Sequence, residues 1–410
     1  MTTYTGDQLD GLVAVLHVIR AGEARTRPEL TRATGLGRTV VTQRLGQLLA
    51  AGLVEEGALG RSTGGRAPRE LRFRAEAGSV LAAELGATAI TAGLTDLNGE
   101  LLAERTEAWD VSLGAEATLG RLEALFDELV DDTLPVWGVG VGLPGPVEFR
   151  TGRPVSPPIM PGWDGYPVRD RLTARYRAPA WVDNEVNLMA LGELRAGAGR
   201  SERDLIYLKM GSGIGAGLVS GGRLHRGAQG CAGDLGHVAV LTGEAPVTCR
   251  CGNLNCLEAL AGGIALARDG TEAARANRSP FLAGRLTSGR PLTARDVADA
   301  AEHGDPVAVE LLTRAGRLVG DTLATLVSMF NPAHVVVGGG VAESGDQLLA
   351  ALRESVYRRS LPLATRELRI TRSSLSHRAG LVGAAHMVTD ELFSRARLGG
   401  WITEGTPATA

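Results

Sequence analysis

Three of the chain's four cysteines crowd into one short loop, Cys249-Arg250-Cys251-Gly252-Asn253-Leu254-Asn255-Cys256, and His237 lies just upstream. Three thiolates and one imidazole make a closed tetrahedral set, which Zn²⁺ prefers when its role is structural. Any fold must therefore bring His237, Cys249, Cys251 and Cys256 to one point. A glycine-rich run precedes this loop, and a DNA-binding pattern occupies the start of the chain. The combination describes a sensor domain joined to a DNA reader.

A length of 410 residues predicts two or three domains. Four cysteines, three of them clustered, argue against a disulfide scaffold and for a reducing cytoplasm. No stretch approaches the roughly 18 uninterrupted apolar residues of a membrane helix, and no N-terminal signal-peptide layout is visible. The net charge of −3 divides unevenly. Residues 1–75 hold eleven arginines against seven acidic residues, a net of +4 that leaves −7 on the remainder. A basic head on an acidic body suits a DNA-binding arm on a metabolite sensor.

In the head, Leu9, Leu12, Val13, Leu16 and Ile19 recur at helical spacing. Arg27-Pro28-Glu29 opens a second helix, with Pro28 suited to its first turn. Gly35-Leu36-Gly37 separates it from a third, which carries Val41, Leu45, Leu48 and Leu49 on one face. Two helices joined by a short glycine-containing turn form the helix-turn-helix arrangement. The N-terminal residues of its second helix read bases in the major groove. Here these are Arg38, Thr39, Thr42, Gln43 and Arg44. Two short strands then flank Gly60-Arg61-Ser62-Thr63-Gly64-Gly65-Arg66, a wing whose Arg61, Gly65 and Arg66 suit a narrow minor groove. A three-helix domain that binds protein or dimerises is the competing reading.

The body, residues 76–395, repeats one plan. A strand over residues 80–85 enters the small turn Gly86-Ala87-Thr88, and a second strand and an Asn98-Gly99 hairpin turn follow. Later, the strand 205–209 enters Gly211-Ser212-Gly213, and Val335-Val336-Val337 enters Gly338-Gly339-Gly340. Backbone N–H groups in such turns can hold phosphate, although glycine also simply fits tight turns. The repetition predicts a duplicated α/β fold with a cleft between two lobes. Residues 268–300 read as an exposed helical excursion, 396–410 as a flexible tail, Cys231 as a buried thiol, and Trp163 as core packing rather than a sugar-stacking platform.

In this order the motifs resemble the ROK family of repressors, open reading frames and sugar kinases, over nearly the whole chain. The resemblance implies an N-terminal winged helix-turn-helix on an actin-like, hexokinase-type two-lobed domain. It rests most on Gly233-Asp234-Leu235-Gly236-His237 and the cysteine loop. The family's kinases lack a DNA-binding head, whereas its regulators carry one.

The resemblance also implies site residues. Sugar contacts map onto Gly145, Asn184, Glu185, Asp234, His237 and Glu258, with Asp234 in place of the usual Glu. A nucleotide site maps onto Glu84, Gly86, Thr88, Gly211, Ser212, Gly213 and Gly338–Gly340, and is expected to be vestigial. The family's phosphate-loop Asp is here Glu84, and its catalytic Asp is here Glu185. A misplacement of about 1 Å can cost roughly 10²-fold in rate, so two lengthened carboxylates imply a chain inactive as a kinase. Asn255 stands where the family usually has Gly.

The expectation is thus a cytoplasmic, sugar-responsive DNA-binding regulator, a repressor released from double-stranded operator DNA by a sugar or sugar phosphate. It would act as a homodimer or homotetramer, without membrane contact. Two alternatives stay open: an ATP-dependent sugar kinase with an added DNA-binding domain, and a ligand-independent DNA-binding protein whose body is an oligomerisation scaffold.

Overall fold

The computed structural model describes residues 6–59, 69–131, 133–241, 243, 245–287, 289–343 and 345–404. The chain begins with three helices, α1 (Gly6–Arg20), α2 (Arg27–Thr34) and α3 (Arg38–Ala50), then the antiparallel pair β1 (Val54–Leu59) and β2 (Arg69–Phe73). Thr26 caps α2 through the Glu29 N–H, Pro28 sits in its first turn, and Gly35 ends it with φ +69°. This is the start-and-stop chemistry expected of a short helix. Leu12, Leu16, Leu30, Leu45 and Leu48 fill the head's core. Arg61, Gly65 and Arg66 lie outside the described residues.

Two five-stranded sheets follow. The first holds β3 (Ser79–Leu85), β4 (Ala89–Asp96), β5 (Leu101–Ala108), β6 (Val136–Leu143) and β9 (Ala180–Asn184), in the order β5-β4-β3-β6-β9. A small ribbon of β7 (Val147–Glu148) and β8 (Arg153–Pro154) lies between β6 and β9 in sequence. The second sheet holds β10 (Leu205–Met210), β11 (Ile214–Ser220), β12 (Arg223–Leu224), β13 (His334–Gly338) and β14 (Arg369–Arg372), in the order β12-β11-β10-β13-β14. In each sheet the first three strands meander antiparallel and the last two add in parallel. The expected duplication is therefore present strand for strand. Central strands such as β3 and β13 are buried almost throughout, as strands covered on both faces must be.

Two helices join the lobes. Glu185–Ala196 packs on β10 and β11 of the second lobe, and Ala379–Leu392 packs on β3 and β6 of the first. They also pack against each other, at a crossing where only glycine fits. A Cβ on Gly192 would lie 2.1 Å from the Ala379 carbonyl oxygen, and one on Gly383 would lie 1.8 Å from that of Leu188. Arg195 at the end of one helix pairs with Asp390 near the end of the other at 2.7 Å.

The head packs directly on this helix pair. Leu16 and Phe73 share one core with Leu381, Phe393 and Leu398. Arg20 of α1 lies with its guanidinium 5.5 Å from the Phe73 ring centroid and 4.6 Å from that of Phe393, and donates to the Leu97 carbonyl at 3.2 Å.

Several expectations need correction. The loose tail is a helix as far as it is described, Arg395–Glu404. Leu398 is fully buried, and Arg395 pairs with Asp10 of α1. The 268–300 excursion is part of the second lobe's core, since Ala274, Leu282, Leu292 and Val297 are buried there. Its arginine content misled, because Arg290 is itself structural, bonding the capping carboxylate of Asp296. Cys231 is exposed, not buried. Trp163 is fully buried and donates to the Val111 carbonyl, as the core reading requires.

Candidate functional site

Gly145, Asn184, Glu185, Asp234, His237 and Glu258 come from both lobes and line one cavity of about 270 Å³. That size is near the lower end of small-molecule sites, roughly 300–1,000 Å³. Asn184 ends β9 and caps the helix Glu185–Ala196. Its Oδ1 accepts from the Val186 and Asn187 N–H groups at 2.9 and 3.3 Å, and its Nδ2 donates to the Gly145 carbonyl at 2.9 Å. Beneath it, buried Asp183 accepts from Asn187 Nδ2 at 2.9 Å and from Arg226 Nε at 2.7 Å, and that guanidinium stacks on Phe149. This fixes the floor of the cavity.

From the second lobe, Glu258 accepts from the Ile214 N–H at 3.0 Å. Gly233 lets the chain bearing Asp234 turn close to β11. Its φ is +96°, and a Cβ would lie 1.9 Å from the Ala216 carbonyl oxygen. Asp234 itself is exposed, leaving its carboxylate open to a ligand.

His237 and the three clustered cysteines converge, with all four ligand atoms within 4.8 Å of one another. Cys249 Sγ and His237 Nδ1 are 3.6 Å apart, as are Cys251 Sγ and Cys256 Sγ. A tetrahedral ion with bonds of about 2.3 Å to sulfur and about 2.0–2.1 Å to nitrogen spaces its ligands by roughly 3.5–3.8 Å. The donor set and its spacing therefore fit such an ion. Asn255 has φ +56°, a left-handed conformation that Asn tolerates, and its Oδ1 accepts from the Val247 N–H at 2.8 Å. The substitution of Gly thus preserves the loop.

The residues mapped to a nucleotide site separate. Ser212 and Gly213 line the cavity, and Ser212 and Thr88 line an adjoining one of about 890 Å³ with Trp109 and Arg250. Gly86, Gly211 and Gly338–Gly340 line neither. Gly339 serves packing, since a Cβ there would lie 2.5 Å from the Met210 carbonyl oxygen. Glu84 lies behind the cavity, half-buried, and its buried Oε2 has no hydrogen-bond partner. Burial, and then the charge of Glu185, push its carboxyl up to about 8.

Sequence reasoning missed Lys209, the one lysine of the chain. It reaches from β10 into the cavity and bonds Glu185 Oε1. The signal available was a lone cation in the apolar strand Leu205–Met210.

In the head, Arg38, Thr39, Thr42 and Gln43 are exposed on one face of α3. Arg44 does not join them, which corrects its assignment as a base-reading residue. It is 5% exposed and donates to Gln47 Oε1 at 2.9 Å within the core side of the helix.

Residues 80–391 match the ROK family. The chain belongs to the ROK family. This ROK chain is 30% identical over 391 residues to the xylose repressor of Caldicellulosiruptor bescii, covering 93% of this chain and 95% of that protein. It is 32% identical to a ROK family glucokinase from Streptomyces griseus solved with glucose and AMPPNP, at a TM-score of 0.68 over 76% of this chain and 99% of that one. A ROK family transcriptional regulator, a homologue of the E. coli MLC protein, superposes at a TM-score of 0.83 over 97% of this chain and all of that one, at 22% identity. The likeness to the last is one of fold, and it extends through the head that the glucokinase match leaves uncovered.

Proposed function

We propose that this ROK chain is a sugar-responsive DNA-binding transcriptional repressor without kinase activity. The observation that carries the reading is the union, in one chain, of a winged helix-turn-helix head with an interlobe cavity whose base position is tied up. Asn184, Glu185, Asp234, His237 and Glu258 offer the mixture of fixed acceptors and donors that a hydroxyl-rich ligand needs. The full-length likeness to a protein named a xylose repressor supports the same reading.

Glu185 stands where a kinase would need a free carboxylate to take the proton of a sugar hydroxyl. Its contact with Lys209 occupies one of the two oxygens that could do this work. The glucokinase likeness supports a second reading, a sugar kinase with an added head, and the Lys209 contact counts against it.

Zn²⁺ would be held by His237 Nδ1 and the three thiolates, as a structural ion that braces the cavity wall. His237 Nε2 would then remain for the ligand, coupling the metal loop to the pocket.

Release from the operator would work through the helix pair. A sugar that draws the lobes together acts on Asn184 and Glu185 at the start of Glu185–Ala196. Motion of that helix reaches Arg195–Asp390 at its far end, and then Arg20 and the head. Two heads of a homodimer or homotetramer would meet a near-palindromic operator, with half-site spacing set by the two-fold axis. Arg38, Thr39, Thr42 and Gln43 would read base edges, with Arg61, Gly65 and Arg66 in the minor groove. The ligand can shift this equilibrium only by its differential affinity for the two states.

Calorimetry with a panel of pentoses, hexoses and their phosphates, run beside a coupled ADP-release assay, tests the reading. Binding without turnover is expected. Turnover of the bound sugar would favour the kinase, and no binding at all would favour a scaffold role.

A further inference from the structure

Lys209 is chemically out of place. Every other basic side chain apart from histidine is arginine, yet this single ammonium sits at the seam of the two lobes. Its side chain is 14% exposed, and that of its partner Glu185 is 7% exposed. Glu84, from β3 of the opposite lobe, and Glu258 also act on it. One compact cation thus bonds Glu185 in a cavity that Glu258 also lines, with the Glu84 carboxyl near enough to act on it. Even so, Glu185 Oε2 and Glu84 Oε2 are buried without a partner. Carboxylate oxygens gathered at this density invite a hard divalent cation, which takes oxygen ligands. A planar guanidinium is a forked donor, whereas an ammonium is a point charge with three rotatable donors, the closer mimic of an ion.

We infer that Lys209 is the resident cation of this site: its ammonium holds the place beside Glu185 that a divalent cation would otherwise take, so that the cavity binds its ligand free of metal. Burial opposes the charged form of the lysine, but the charge and hydrogen bond of Glu185 outweigh it. The ammonium is therefore a permanent charge at neutral pH. A second cation at the same carboxylates would meet it at close range in a poorly screened interior.

The inference rests on the reading of the cavity as a ligand site without turnover, but its test needs neither sugar nor DNA. Mn²⁺ is titrated into the full-length, zinc-loaded chain and bound ion is read by electron paramagnetic resonance. The wild type is expected to show no saturable site at millimolar Mn²⁺. Lys209→Met should create one at least tenfold tighter than any wild-type binding, and Lys209→Met combined with Glu84→Gln should lose it again. Lys209→Arg keeps the charge and should stay empty. If Lys209→Met does not fold, Lys209→Gln serves. A saturable wild-type Mn²⁺ site that Glu84→Gln abolishes would overturn the inference with no lysine variant at all, and so would a folded Lys209→Met chain that gains no site.

Discussion

The guanidinium of Arg20 in the N-terminal head lies 4.6 Å from the ring centroid of Phe393, just past the C-terminal end of the helix that covers the first lobe's sheet. Phe73 of the wing strand β2 sits on the same guanidinium at 5.5 Å. One half-buried cation thereby ties α1, β2 and the body together, and the Leu97 carbonyl from the first lobe completes its surroundings. Arg20→Met keeps apolar bulk but removes the cation–π contacts and the hydrogen bond, a loss of about 1–3 kcal/mol. The variant should still bind operator, and its affinity should respond less to sugar than that of the wild type. Anisotropy titrations of both proteins, with and without sugar, check this.

Asn184 has two jobs that substitutions can separate. Asn184→Ala removes both the helix cap and the amide bond to Gly145, and should cost about 1 kcal/mol of stability together with most sugar binding. Asn184→Ser keeps an oxygen for the cap and loses the Gly145 bond. It should melt close to the wild type yet still bind sugar poorly. Calorimetry beside thermal melts separates the two effects.

The metal loop is expected to matter to the ligand before it matters to DNA. Cys251→Ser should lower bound zinc, measured by atomic emission, and weaken sugar binding by roughly 10–100-fold, the usual range when a metal site's support is disturbed. Operator binding without sugar should change little, because the head's core is built from its own helices and the C-terminal helices. Loss of operator binding with a normal sugar response would contradict the bracing role.

Glu84 makes stability depend on pH. Its folded carboxyl is raised to about 8, first by burial and then by Glu185. The folded chain therefore holds a proton that the unfolded chain gives up near the ordinary carboxylate range, about 4.3. Stability from this group is complete below the unfolded value and is lost as pH rises toward about 8. Glu84→Gln removes the titration. The fall in melting temperature between pH 5 and pH 8 should be smaller in that variant than in the wild type.

Much of the site could be read before the fold was known, because its chemistry is local in sequence. The cysteine loop and His237 announce themselves by residue type and spacing, and the strand–turn repeats announce the duplication. The six cavity residues were implied by the family resemblance and do line one cavity. What could not be read depends on partners distant in the chain. Lys209 has meaning only beside Glu185 and Glu84, which other strands and helices deliver. Arg44 looked like a base reader by position, yet it falls three residues after Val41 and four before Leu48, on the helix face that the core covers. The C-terminal segment looked loose because its glycines and small residues hide one anchoring side chain, Leu398.

The most direct measurement is fluorescence anisotropy of the protein on DNA from upstream of its own gene, at physiological salt and without ATP, against a panel of sugars and sugar phosphates. Tight binding that one sugar weakens at least tenfold, with no ADP released when ATP is then supplied, is the predicted result. Binding that no sugar alters, or a sugar that is phosphorylated as it binds, would contradict the account.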